Sequence, residues 1–388
     1  MWRLAALVAL VTIGCSSAYG PVASGSRTSS PSAPATVPAT EAPSPMASGE
    51  PHSKTTYAVL VDLFAAADTY DLAIVASDGS VVARAHPHKR TPIAHALELP
   101  YVSTSNSSVY YLDGDRDVHD LKPDGTTRLV GSLPSTANIR AAFAVTPDQT
   151  GIAVGLLDYR KLPVENTLYF KANDHLDQLT GVSYQSTSRY FWPVGWHAGN
   201  LVVAYLGPGG TPFDTTQRYG RGTAEDFPYG PNPYGGINVH VINPKTAARL
   251  AIISGGGQSG LLTKAGTAVT QGDAVNWKGQ ILNYQATNYG TYNSPGSLST
   301  DGDKIAACCV GPSPSGSLAL WYPGGGPEAL PVAGSDADWV GWFDDFLLIT
   351  GYYHASAGTP TVIDINTEAV KVVDAHGVVA AMLPAGLG

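Results

Sequence analysis

Three aspartates at alternate positions could ligate a metal ion. They are Asp113, Asp115 and Asp117 in the stretch DGDRD, and Asp124 stands at the twelfth position of the same frame. An EF-hand calcium loop needs glycine at its sixth position, where this chain has Val118, and a bidentate glutamate at its twelfth. The pattern is incomplete, so we interpret the stretch as a solvated turn between two strands.

Histidines and glycines supply two further patterns, and neither is complete. His86 and His88 share one side of an extended segment and His95 is near, but no cysteine or carboxylate spacing completes the three or four ligands of a zinc site. The glycines of GGGQSG (255–260) precede a strand-like stretch instead of a helix, so they form no phosphate cradle. We predict no metal and no cofactor, and we assign no catalytic residue.

Two of the three cysteines are adjacent, Cys308 and Cys309 in IAACCVGPSPSG. Neighbouring residues of a strand point to opposite sides, so two reduced thiols would pack against different neighbours, as small apolar side chains do. The alternative is a vicinal disulfide, which an oxidising compartment would favour. Such a bond would be strained, because adjacent Cα atoms lie about 3.8 Å apart, below the usual disulfide range. Both states stay open.

The N-terminal sequence, MWRLAALVALVTIGCSS, is typical of export. A single charge, Arg3, precedes an apolar run that is too short to span a bilayer. Residues 12–15, TIGC, resemble the lipobox of bacterial lipoproteins, with Thr12 where leucine is usual. The resemblance implies a signal peptide over 1–14 and a lipid-modified Cys15 that anchors the protein to the cell membrane. The alternative is an ordinary secreted protein from which Cys15 is removed.

Composition separates a linker from a folded domain. Residues 15–54 are dominated by Ser, Pro, Ala and Thr, which cannot bury enough surface to fold, so we predict a lipid-anchored disordered linker. Residues 55–388 form the folded domain. The net charge of −9 and the lack of a basic cluster argue against nucleic-acid binding. The low charged content of 14%, with 43 glycines and 29 prolines, suits short strands joined by turns.

Short β-rich runs recur along the domain and predict an all-β fold. Six strand–turn–strand stretches have their turns near residues 78, 124, 174, 244, 325 and 366. A unit of about 40 to 45 residues containing four strands is a β-propeller blade. The longer intervals are explained by an insertion at 207–236 and by a degenerate blade within 255–294. We therefore predict seven blades; six is the alternative if 255–294 is only a connection.

Two turns resemble a known family. TPDQTGIAV (146–154) and STDGDKIAA (299–307) are similar to the blade repeat of TolB-type β-propellers, in which a Ser-Pro-Asp-Gly turn precedes a buried strand. The resemblance implies a structural repeat and not a function. The first blade starts at YAVLVDLF without an innermost strand, and GVVAAMLPAG (377–386) is predicted to supply it and close the ring.

Loop lengths predict a binding face. When the strands of a blade are labelled a to d from the axis outwards, the b–c and d–a loops share one side of the disc, called the b–c face below. Several b–c loops are long, and loops on a rigid scaffold are where binding groups usually lie. The insertion at 207–236 contributes aromatic and arginine side chains typical of contact residues, although it could instead pack on its own blade. The candidate contact residues are Asp158, Tyr159, Arg160, Arg218, Tyr219, Arg221, Phe227, Tyr229, Tyr234, Tyr352, Tyr353 and His354.

These observations predict an exported, lipid-anchored, monomeric β-propeller that acts as a non-enzymatic binding or scaffold module at the cell surface or envelope. Its partner would be an envelope protein or a glycan that contacts the b–c face. The alternative is a propeller enzyme acting on carbohydrate, of glycosidase or lyase type, which would need two carboxylates facing each other at that face. A quinoprotein-like redox protein is a third hypothesis, since some of these also have adjacent cysteines, but its Trp-ended docking repeats are not found in this sequence.

Overall fold

The computed structural model describes residues 56–93, 96–97, 99–172, 182–206, 238–255, 261–268, 274–282, 296–310, 317–323, 328–330, 339–352 and 358–385. These residues form 27 β-strands in seven separate antiparallel sheets, six with four strands and one with three. The all-β, seven-bladed propeller predicted from the sequence is confirmed, and the six-bladed alternative is wrong.

The first four blades follow the chain from its first described strand. Blade one contains β1 (Tyr57–Asp62), β2 (Asp71–Ala76), β3 (Val81–Ala85) and β27 (Val378–Leu383). Blade two contains β4 (Val102–Thr104), β5 (Val109–Asp113), β6 (Asp117–Leu121) and β7 (Thr127–Ser132). Blade three contains β8 (Ile139–Val145), β9 (Gly151–Asp158), β10 (Glu165–Ala172) and β11 (Val182–Ser186). Blade four contains β12 (Tyr190–His197), β13 (Asn200–Leu206), β14 (Asn238–Ile242) and β15 (Arg249–Gly255).

The remaining blades include the degenerate one. Blade five contains β16 (Gly266–Ala268), β17 (Ala274–Asn276) and β18 (Ile281–Leu282). Blade six contains β19 (Ser297–Leu298), β20 (Ile305–Val310), β21 (Ser317–Trp321) and β22 (Glu328–Ala329). Blade seven contains β23 (Trp339–Trp342), β24 (Leu347–Gly351), β25 (Thr361–Asp364) and β26 (Ala369–Val372). Blade five lies within 255–294 as predicted.

The innermost strand of each four-stranded blade, which is β27 in blade one and the first strand in sequence in the others, faces the axis. β4 contacts β27 and β8, β8 contacts β12, and β23 contacts both β19 and β27, so these strands follow one another around the ring. In blade five the segment 261–263 takes the place of the innermost strand. The Thr263 amide donates to the Gly266 carbonyl at 2.8 Å, as in a tight turn that joins two neighbouring strands.

The C-terminal strand closes the ring, as predicted. β27 pairs antiparallel with β1, from Tyr57 opposite Leu383 to Val61 opposite Val378. Val378, Val379 and Leu383 are each no more than 2% exposed. The first and last described strands of the domain therefore share one sheet, and blade one has no open inner edge.

The two turns that resemble TolB-type blades form the same hairpin. In the first, the Thr146 amide donates to the Gly151 carbonyl at 2.9 Å; in the second, the Ser299 amide donates to the Lys304 carbonyl at 2.8 Å. An aspartate at the third position of each turn accepts a hydrogen bond from the amide two residues later. Each turn joins the a strand of its blade to the b strand, so the sequence repeat corresponds to a repeat in space.

Apolar side chains fill the space between blades, and tryptophans connect neighbouring ones. The Trp196 indole of blade four donates to the Ala144 carbonyl of blade three at 3.0 Å. The Trp342 indole of blade seven donates to the Ser297 carbonyl of blade six at 3.1 Å. Both rings and that of Trp192 are buried, so these tryptophans are core residues.

Within the ranges given above, the chain forms no helix whose length and apolar character would allow it to span a bilayer.

Candidate binding sites

Topology brings the b–c loops of different blades to one side of the disc. Successive strands of each blade are antiparallel neighbours, so every b strand ends, and every c strand begins, at the same face. The described b–c connections include 63–70 of blade one, 114–116 of blade two and 159–164 of blade three. The b–c face therefore collects segments far apart in sequence.

An arginine is held in a fixed position on this face. Asp158 ends β9 and its carboxylate is only 12% exposed, whereas the Arg160 side chain is 58% exposed. The guanidinium donates through Nε to Oδ1 at 2.9 Å and through Nη2 to Oδ2 at 2.8 Å, and the Arg160 amide donates to Oδ1 at 3.0 Å. The hydrogen bonds from Arg160 lower the pKa of Asp158, so the pair stays ionised over a wide pH range. A bidentate pair fixes the direction in which the cation is presented.

Residues on either side of Arg160 support the same loop. The Tyr159 amide donates to the Asn138 carbonyl at 3.0 Å, and its half-buried ring packs against the apolar cluster of Leu99 and Val164. Lys161 Nζ lies 2.5 Å from Glu165 Oε1, and this contact lowers the pKa of Glu165. The loop is thus attached to the blade at both ends, with its charged groups outward.

Tyr352 lies at the start of the blade-seven b–c loop, yet its side chain belongs to the core. It is 3% exposed, and its amide donates to the Gly377 carbonyl at 2.8 Å. Gly358 approaches its ring so closely that a Cβ there would lie 2.5 Å from Cε1. Tyr352 packs the loop instead of presenting a contact surface.

The other candidate contact residues fall outside the described residues. They are Arg218, Tyr219, Arg221, Phe227, Tyr229, Tyr234, Tyr353 and His354.

Cys308 and Cys309 lie in β20, whose pairing with β21 shifts register between Ala307 and Val310. Their side chains lie outside the described part of the molecule, so the reduced pair and the vicinal disulfide remain alternatives.

The three alternating aspartates bind separate partners. Asp113 Oδ1 accepts from the His88 amide at 2.7 Å, and Asp115 Oδ1 accepts from the Thr91 amide at 2.8 Å. Asp117 accepts from the Ser132 hydroxyl. Across the described part of the chain, no group of three or more His, Cys, Asp or Glu side chains could hold a metal ion. These carboxylates fasten turns, and they do not converge on one point.

A cleft between blades three and four was not anticipated from the sequence. We call it the interblade cleft; it has a volume of about 410 Å³. Blade three contributes Leu168, Phe170 and Tyr184, and blade four contributes Phe191, Tyr205 and His240. Each of these lies within an ordinary-looking strand, so the sequence gives no sign of a cleft beside it.

The rings of this cleft contact one another. Phe191 stacks on Tyr205 with centroids 4.7 Å apart and planes 22° apart, and Tyr184 meets Phe191 edge-on at 4.9 Å. His240 lies against Tyr205 at 4.6 Å. Offset stacking and edge-to-face contacts are the favoured arrangements of aromatic pairs, so the rings form an ordered wall.

His240 should make the stability of the fold depend on pH. Burial and then the nearby charge of Arg249 lower its pKa from 6.5 to about 4, and the residue is 3% exposed. The unfolded chain takes up a proton below about pH 6.5 while the folded chain does not. The free energy of unfolding should therefore fall by about 1 to 2 kcal/mol between pH 7 and pH 5 because of this one group.

Urea unfolding of the wild-type protein and of His240→Phe at both pH values measures this contribution. The substitution should remove that part of the pH dependence, because phenylalanine cannot take up a proton. A pH dependence that is the same in both proteins would contradict the assignment.

The strand order defines the class of fold, a seven-bladed β-propeller. No family model matches the chain, and no curated protein matches it in sequence. Similar solved structures include TolB from Acinetobacter baumannii, at 11% identity and a TM-score of 0.37, covering 85% of this chain and 65% of that one. A putative TolB from Agrobacterium tumefaciens is 12% identical with a TM-score of 0.32, covering 75% and 88% of the two chains.

A peptidase is also among the similar structures. Dipeptidyl peptidase 4 from Porphyromonas gingivalis is 11% identical with a TM-score of 0.43, covering 80% of this chain and 49% of that one. This chain thus spans less than two thirds of the length of that peptidase and of the Acinetobacter TolB. At these identities and TM-scores the likeness supports no statement about function, which has to be argued from this chain's own residues.

Proposed function

We propose that the protein is an exported, lipid-anchored β-propeller that acts as a non-enzymatic binding module at the cell surface or envelope. It binds an envelope protein or a glycan through the b–c face. The observation that carries the proposal is Arg160, an exposed guanidinium fixed by a nearly buried carboxylate on the face where the b–c loops meet. Arginine is enriched among the residues that dominate binding energies, and a cation that is already ordered loses less entropy on binding.

The charge state of this face supports binding over hydrolysis. A glycosidase needs one carboxylic acid whose pKa is raised, so that it can protonate the leaving group. Among the described residues of the face, Asp158 and Glu165 have shifted pKa values, and hydrogen bonds from Arg160 and Lys161 shift both downward. Both carboxylates therefore serve to hold cations.

Arg160→Ala should weaken binding of the partner at least about tenfold, as loss of a central arginine does at other interfaces. Arg128→Ala is the matched control: Arg128 also pairs with a buried aspartate, its Nε lying 2.9 Å from Asp120 Oδ2, and it is 65% exposed. It lies at the start of β7, beside the c–d turn, on the opposite side of the disc.

The measurement uses the full-length protein in detergent, immobilised and exposed to fractionated envelope extract and to a glycan array. Retention should be reduced by Arg160→Ala and unchanged by Arg128→Ala. Equal retention by the two variants would exclude Arg160 as a binding residue of this face.

Cys15→Ser should abolish the lipid anchor. The expected product is either an unprocessed precursor or a protein in the soluble fraction, because the lipid-bearing thiol is gone and no other anchor is proposed. Fractionation of the producing bacteria, with Ser17→Ala as control, measures this. A Cys15→Ser protein that is processed normally and still pellets with membranes would refute the lipid anchor.

A further inference from the structure

The interblade cleft has the size and composition of a small-molecule site. Its volume of about 410 Å³ lies within the range of about 300 to 1,000 Å³ found for ligand pockets. Such pockets combine mostly apolar and aromatic walls with a few polar groups that orient the ligand. In this cleft the wall is aromatic, and the polar groups are His240, Arg189 and Arg249 together with the tyrosine hydroxyls.

The charge of the cleft has one sign. Arg189 and Arg249 line it and both are exposed, and none of the described residues that line it is an aspartate or glutamate. Neither guanidinium has an ion-pair partner among the described residues. Other arginines of the domain lie beside an aspartate: Arg84, Arg116, Arg128 and Arg160. The cleft is therefore complementary to an anion.

The aromatic wall of the interblade cleft is held in place by the contact between blades three and four. The Asn166 side chain of β10 donates to the Phe191 carbonyl at 2.9 Å and accepts from the Phe191 amide at 2.8 Å. Gly155 allows this approach, since a Cβ there would lie 2.9 Å from Pro193 Cδ. The ring of Phe191, and through stacking that of Tyr205, is held in place before any ligand arrives.

His240 adds a polar group that no described protein atom uses. It is buried, and none of the described residues forms a hydrogen bond with its ring. Its ring nitrogens are therefore available to a ligand in the cleft.

We propose that the interblade cleft binds a small aromatic anion of the aryl carboxylate class. The ring of the ligand packs against Phe191, Tyr205 and Tyr184, its carboxylate pairs with the arginine at one end of the cleft, Arg189 or Arg249, and the imidazole of His240 hydrogen-bonds to a polar atom of the ligand. Arg189 lies in the d–a loop between β11 and β12, at the edge of the b–c face, but no residue of the 159–164 loop lines the cleft.

Isothermal titration of the full-length protein with 2-naphthoate, and with the neutral 2-naphthamide of the same shape, tests the charge requirement. The naphthoate should bind at least about tenfold more tightly, because only it pairs with the arginines. Arg189→Gln/Arg249→Gln should remove that difference, and Tyr205→Ala should weaken both probes. Arg128→Gln, which removes an exposed arginine of blade two, should change neither.

The arginines are exposed, so their replacement should leave the fold intact, and a thermal scan of each variant verifies this. Equal affinity for the two naphthalene probes in the wild-type protein would overturn the anionic assignment. Tighter binding of a neutral disaccharide such as maltose than of the naphthoate would also overturn the anionic assignment. No heat from either aromatic probe at millimolar concentration would show that the cleft is not a site of this kind.

Discussion

Removal of residues 377–388 should leave a chain that no longer folds cooperatively. The deletion removes β27, which pairs with β1 from Tyr57 to Val61 and also contacts β4, β23 and β24. Val378, Val379 and Leu383 are almost fully buried, and burial of such side chains contributes about 1.5 to 3 kcal/mol each. The loss of about 5 to 8 kcal/mol is comparable to the whole stability of a typical domain, about 5 to 15 kcal/mol.

The deletion also exposes the backbone donors and acceptors of β1, which adds an aggregation-prone edge at the centre of the ring. Circular dichroism and thermal unfolding measure the effect on purified protein. A chain shortened by its last three residues retains β27 whole and serves as the control. A twelve-residue deletion with an unchanged melting temperature would show that β27 does not close the ring.

Replacement of Asn166 by leucine should lower the free energy of unfolding by about 2 to 5 kcal/mol, an effect second only to that of the deletion. The amide is fully buried and makes hydrogen bonds to the Leu156 carbonyl and to both backbone groups of Phe191. Leucine fills a similar volume but leaves the Phe191 amide and carbonyl without this partner, and each unsatisfied buried group costs about 1 to 3 kcal/mol.

Equilibrium unfolding in urea measures the loss as a shift of the midpoint at constant slope. Asn200→Ala is the control, because the Asn200 amide makes an exposed contact to the Ala198 carbonyl at 3.3 Å within a turn. It should change the free energy of unfolding by less than about 1 kcal/mol. If Asn166→Leu also lowered the free energy of unfolding by less than about 1 kcal/mol, the contact between blades three and four would not depend on this amide.

The repeat was predictable because its signals are local. A tight turn between two β-rich runs is encoded within about fifteen residues, so hairpins such as 71–85, 117–132 and 238–255 could be recognised one at a time. Counting the intervals between them was then enough to place blade five. Closure was predictable for a different reason, since the first blade had one strand too few and an apolar segment remained at the C-terminus.

The interblade cleft was not predictable, because it is formed by residues that only the ring brings together. Leu168 and His240 stand 72 positions apart and lie in strands of different blades. Each belongs to a run that looks like an ordinary strand, and nothing in the run indicates a space beside it. Tyr352 shows the opposite error: its position after β24 suggested an exposed loop residue, but the bond from its amide to Gly377 draws it into the core.

Contact between the b–c face and the partner is tested most directly by site-specific photocross-linking in the producing cells. Benzoylphenylalanine is placed at Lys161, beside Arg160, or at Leu129 on β7, which is 57% exposed. We expect a covalent adduct from position 161, absent from position 129 and diminished when Arg160→Ala is added. Adducts of equal yield from both positions, or from position 129 alone, would contradict binding through this face, as would the absence of any adduct from position 161.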